Sequence, residues 1–188
     1  MIKETEIKIY DVLLTHRKVD SISPEAWLLA PSIRFFTNSY YNHVDIVVEV
    51  LGEKWVMGAV AGGFIPHTRL EDWLAQYPKR REFAVLRYDW SELKEADVYQ
   101  HIRQLAGNKY DWNGTLGDGF IDAIKSKFFK KEHNWNKRKQ NADKVNCSEG
   151  IAYVFDMPES YKAIPKDIYE YQLFKVLFES RYNDLYLK

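Results

Sequence analysis

Only one of the 188 residues is a cysteine, so no internal disulfide can form, and a reducing compartment suits the chain. Charge of one sign is also missing in net terms: 27 basic side chains stand against 27 acidic ones. That balance gives no global field to attract nucleic acid, and no specific nucleic-acid partner is expected. No apolar run reaches the roughly eighteen residues of a membrane span. Met1 to Tyr10 alternates charge with isoleucine and lacks the apolar stretch of a signal peptide, so the expected location is cytoplasmic. Metal-ligand spacings are absent too: there is no His-Glu-x-x-His and no cysteine pair. Gly58, Gly62 and Gly63 lack the spacing and the lysine of a phosphate-binding loop. No cofactor and no metal is therefore expected.

The lone thiol itself is informative. Cys147 sits in Val145-Asn146-Cys147-Ser148-Glu149-Gly150, just before the apolar run Ile151 to Phe155. Asn146, Ser148 and Glu149 are helix-start residues, which puts Cys147 beside free backbone N–H groups and the positive end of a helix dipole. Both favour a thiolate, the reactive form of cysteine, and the same amides suit an oxyanion. Two readings of Cys147 stand side by side, a nucleophile and a small buried hydrophobe.

The rest of the chain supplies a context. Ile7 to Leu14 reads as extended, and Ser23-Pro24 as the start of a helix over Ala26 to Phe36. Val44 to Val50 is a β-branched run, Leu51 to Lys54 a turn around Gly52, and Trp55 to Val60 the returning strand. Thr68 with Glu71 predicts a capping box for a short helix through Leu74 and Tyr77. Glu82 to Tyr88 reads as another strand, and Ser91 opens a helix to about Ala106. Residues 125–144 carry eight lysines and arginines against Glu132 and Asp143, an excess of six positive charges, interleaved with Phe128, Phe129 and Trp135. This segment reads either as a grip for an acidic surface or as a solvated insertion.

A cysteine nucleophile needs a histidine brought to it by the fold. The candidates are His16, His43, His67, His101 and His133. His43 stands out because it opens the strand Val44 to Val50, a rigid element able to fix an imidazole.

Five segments in order carry a family likeness: Asp11-Val12-Leu13-Leu14, Asn42 to Val48, Trp55 to Ala59, Gly107-Asn108-Lys109-Tyr110-Asp111, and Asn146-Cys147-Ser148-Glu149. In this order the chain resembles the circularly permuted NlpC-type, papain-like cysteine hydrolases, in their YiiX-like branch related to lecithin retinol acyltransferase. The histidine strands precede the cysteine helix, reversing the order of papain. The likeness runs from about Tyr10 to the tail Ile164 to Ile168 and Phe174 to Phe178.

The resemblance implies one α+β domain over residues 1–188, with an antiparallel sheet or open barrel from the first half and the Cys147 helix packed on it. It makes Cys147 the nucleophile, His43 the base, and Tyr110 a residue lining the site beside the oxyanion. The substrates it implies are peptides, cell-wall peptides or lipid esters. One position departs from the family, in which a polar residue just before an alanine on the next strand orients the histidine. Here that position is Gly58, before Ala59. Asp45 and Glu49 are substitutes in period-two register with His43. Failing them, the chain is either a Cys147–His43 dyad with water in that place or a catalytically inactive papain-like module that binds a peptide or lipid.

Overall fold

The computed structural model describes residues 2–16, 39–60, 62–76, 82–110 and 144–180. Its framework is a six-stranded antiparallel sheet. In chain order the strands are β1 (Val12–His16), β2 (His43–Val50), β3 (Glu53–Val60), β4 (Gly63–Arg69), β5 (Glu82–Tyr88) and, from the far end of the chain, β8 (Phe174–Ser180). They lie side by side as β4-β3-β2-β1-β5-β8. A short parallel pair, β6 (Lys109–Tyr110) and β7 (Lys144–Val145), leads into the cysteine helix. The helices are α1 (Leu70–Gln76), α2 (Glu95–Leu105), α3 (Cys147–Val154) and α4 (Pro165–Glu170). This is an α+β fold.

Period-two alternation divides the strands cleanly between two cores. Val12, Leu14, Val44, Ile46, Val48, Met57, Ala59, Ala84 and Leu86 face a core shared with Ile151, Ala152 and Val154 of α3. Their neighbours Leu13, Val47, Val56, Phe83 and Val85 face the other side, against Leu70 and Trp73 of α1. A central strand covered on both faces has no use for polar alternation, which explains the near-continuous run Val44 to Val48. Each fully buried valine or isoleucine contributes about 1.5–3 kcal/mol over its exposed state.

The β2–β3 hairpin closes through Leu51 and Gly52 alone, both at positive φ (53° and 81°), the backbone of a two-residue turn matched to strand twist. Gly63 also sits at positive φ (115°), and a side chain there would come within 2.5 Å of the Asn108 carbonyl oxygen. That close approach lets Phe64 N–H bond the Asn108 oxygen at 2.8 Å while Gly107 N–H bonds the Phe64 oxygen at 3.0 Å. The edge strand β4 is thereby covered.

Several sequence expectations are corrected here. Thr68, expected to cap a short helix with Glu71, lies instead in the strand β4, and the helix starts at Leu70. Pro66 is tolerated because β4 is an edge strand of the sheet. The helix expected from Ser91 starts at Glu95, and Val12 rather than Ile7 begins β1. The sheet is not drawn from the first half alone, since β8 pairs with β5. The helix expected over 26–36 and nearly all of the basic stretch 125–144 lie outside the described residues.

Candidate active site

The cysteine helix starts where its sequence says it should. Asn146 is the N-cap, its side-chain oxygen accepting the Glu149 N–H at 2.9 Å, while the Glu149 carboxylate accepts the Asn146 N–H at 3.4 Å. This reciprocal box uses the Glu149 amide and leaves the amides of Cys147 and Ser148 with no acceptor inside the helix. Gly150, one turn on, lets α3 press onto β4: a Cβ there would lie 2.8 Å from the Phe64 ring. Packing of this kind fixes where the thiol sits.

It sits against the beginning of β2. Cys147 is buried, 6% exposed; its sulfur lies 3.9 Å from the Ser148 hydroxyl oxygen and interacts electrostatically with the His43 side chain and the Val44 backbone. Burial alone pushes the thiol pKa up. The hydrogen bond and charge of His43, with the Val44 amide and Ser148, outweigh burial, and the thiol lies below its ordinary value.

Behind His43 stands Asp45. His43 Nε2 lies 2.8 Å from Asp45 Oδ1, two residues along the same side of β2. Asp45 has no exposed surface at all. Burial raises its pKa, but the charges and hydrogen bonds of His43 and His67 more than reverse this, holding the carboxyl ionised well below the usual aspartate range. Asp45 Oδ2 is buried without a hydrogen-bond partner.

The carboxylate has room because position 58 is glycine. A Cβ on Gly58 would lie 2.1 Å from Asp45 Oδ1, closer than atoms can approach. What looked in the sequence like a missing orienting side chain is the space in which Asp45 lies.

The other candidates are dispersed. Glu49 is exposed at the far end of β2, opposite Lys54, and does not join His43. Tyr110 is half-buried in β6, opposite Val145, and packs against the main core. His101 donates from Nδ1 to the Val154 carbonyl oxygen at 3.0 Å, closing the last turn of α3. His16 lies 3.8 Å from Glu82 and packs on the Tyr40 ring. His133 lies outside the described residues.

His67 is different, and nothing in its local sequence set it apart. Its Nε2 lies 3.3 Å from the same Asp45 oxygen and its Nδ1 3.1 Å from the Thr68 hydroxyl. Both imidazoles thus turn Nε2 to one carboxylate. Among the described residues, no group of three or more His, Cys, Asp or Glu side chains is arranged to hold a metal ion.

No protein-family model matches the sequence, and no curated protein matches it. The fold does have a solved relative. The crystal structure of the metalloprotein yiiX from Escherichia coli O157:H7, which carries the domain designation DUF1105, superposes with a TM-score of 0.59 over 92% of this chain and 97% of that one, at 16% identity. At that identity the likeness is one of fold, and this chain is similar to yiiX in its architecture.

Proposed function

We propose that the chain is a thiol-dependent hydrolase of amide or ester bonds, of the peptidase, amidase or lipid-esterase kind, built on a papain-like arrangement. The observation that carries this reading is His43 held between two partners, the buried Asp45 carboxylate on its Nε2 and the Cys147 thiol with which it interacts. Asp45 fixes the tautomer and orientation of His43 and favours its charged form, and the charged ring in turn favours the thiolate.

In the reaction, Cys147 sulfur attacks the carbonyl carbon of the substrate, and the oxygen of the tetrahedral intermediate takes its negative charge toward the free amides of the first turn of α3. His43 passes its proton to the departing amine or alkoxide. Water then adds to the thioester, with His43 as base, and releases the acid and the thiol. Tyr110, beside the strand that feeds Cys147, is assigned to the wall of the substrate cleft.

The rival, an inactive binding module, drew its force from Gly58. The Asp45 carboxylate lying over that glycine supports the catalytic reading against it. Incubation with a panel of fluorogenic peptides and short-chain esters, followed by intact-mass analysis, tests the proposal. Turnover that falls at least about a thousandfold in Cys147→Ala, together with an acyl adduct on Cys147 in the wild type, is the expected result. Turnover that survives the substitution would overturn the thiol mechanism, and an absence of both turnover and adduct would favour the binding module.

A further inference from the structure

The pairing of β3 with β4 breaks register next to the site. Met57 lies opposite Pro66 and Val56 opposite Thr68, so His67 is an extra residue with nothing across from it. A bulge of this kind bends the strand and re-aims the side chain of the inserted residue, and bulges gather beside active sites. Here the re-aimed ring reaches across β3 to the carboxylate on β2. The Thr68 hydroxyl holds its other nitrogen, and the side chain is 17% exposed.

We infer that His67 is a positioning residue for the reactive thiol, holding the Asp45 carboxylate in the orientation that reaches His43. This rests on the reading of Cys147, His43 and Asp45 as the reactive set, and extends it to a fourth side chain on a third strand.

The need for a second donor follows from the setting of Asp45. An ionised carboxylate with no contact with water is costly unless it is well hydrogen-bonded. Its only described side-chain donors are the two imidazoles, both on Oδ1, while Oδ2 has none. Gly58 leaves the space beside Oδ1 without a side chain to hold the group in place. With His67 gone, one donor remains, and the carboxylate is free to turn or to recruit water above Gly58. His43 then loses its orienting bond for part of the time. Outer partners of this type are worth about 10–100-fold in function.

The test is the rate of Cys147 carbamidomethylation by iodoacetamide at neutral pH, in the full chain, with thermal melting recorded alongside. His67→Leu should slow the reaction about tenfold, and His67→Gln, which keeps an N–H donor, should stay within about threefold of wild type. In an Asp45→Asn background, His67→Leu should change the rate by less than about twofold, because the residue acts only through that carboxylate. A purely structural role would cost the same in both backgrounds, and that result overturns the inference. So does a His67→Leu rate within twofold of wild type, a glutamine variant as slow as the leucine one, or loss of the folded transition in both. Failure of the hydrolase reading shows separately, as absent turnover with these rate ratios intact, since alkylation reports the thiol and its histidine without any substrate.

Discussion

Gly58→Ala adds one methyl group and should damage the site more than the fold. The new Cβ would lie 2.1 Å from Asp45 Oδ1 and 3.2 Å from Asp45 Cγ, with the Val44 carbonyl oxygen at an ordinary 3.4 Å. To restore normal contact the carboxylate must retreat by about 1 Å, and a displacement of that size in an orienting group costs on the order of a hundredfold in rate. It also draws out a 2.8 Å bond to His43 beyond the usual hydrogen-bond range. The backbone at Gly58 is not in the left-handed region, so replacing a strand glycine would by itself gain about 0.5–1 kcal/mol. Overpacking costs about 1–3 kcal/mol against that gain, leaving a protein that folds with modestly reduced stability. The assay is alkylation of Cys147 by iodoacetamide, with the melting temperature measured on the same sample. A loss of tens- to a hundredfold in rate is expected, and in an Asp45→Ala background the same substitution should cost nothing, because the methyl group then has space. An alanine variant that reacts at the wild-type rate and melts at or above the wild-type temperature would refute the idea that the carboxylate works from that space.

Two further outcomes follow from the helix that carries the thiol. Asn146→Ala removes the cap that receives the Glu149 amide, and urea unfolding should show a loss of about 1 kcal/mol, whereas no change would mean that the box contributes nothing. Cys147 has a folded-state pKa below its ordinary value, so the folded protein gives up this proton before the unfolded chain does, near pH 8.5. The resulting stability is fully present above that pH and is lost as pH falls through the folded pKa. The stability difference between wild type and Cys147→Ala should therefore widen in favour of wild type as pH rises toward the ordinary thiol value of about 8.5; a flat or narrowing difference would contradict the lowered thiol.

The parts of this molecule that were legible in its sequence are those specified locally. The hairpin of β2 and β3 follows from a β-branched run and a turn glycine, and the start of α3 from the helix-start residues Asn146, Ser148 and Glu149. Asp45 could be named because alternation along one strand puts it on the side of His43. What escaped depends on partners distant in the chain. Phe174 to Ser180 shows little alternation, with Lys175 and Glu179 interrupting it, and becomes β8 by pairing with β5. Pro66 and the Gly62-Gly63 pair masked β4, and with it the bulge that turns His67 toward the site. Gly58 carries the clearest lesson. Along the chain it is a position without a side chain, and its meaning as space for Asp45 exists only once β2 and β3 are paired.

His43, braced by Asp45, is proposed to activate Cys147. The most direct measurement is the pH dependence of the Cys147 alkylation rate in wild type and in His43→Ala. A wild-type midpoint clearly below the ordinary thiol value of about 8.5 is expected, and one at or above that value in the variant, where burial is left with less to oppose it. Coincident midpoints at or above the ordinary value would contradict it.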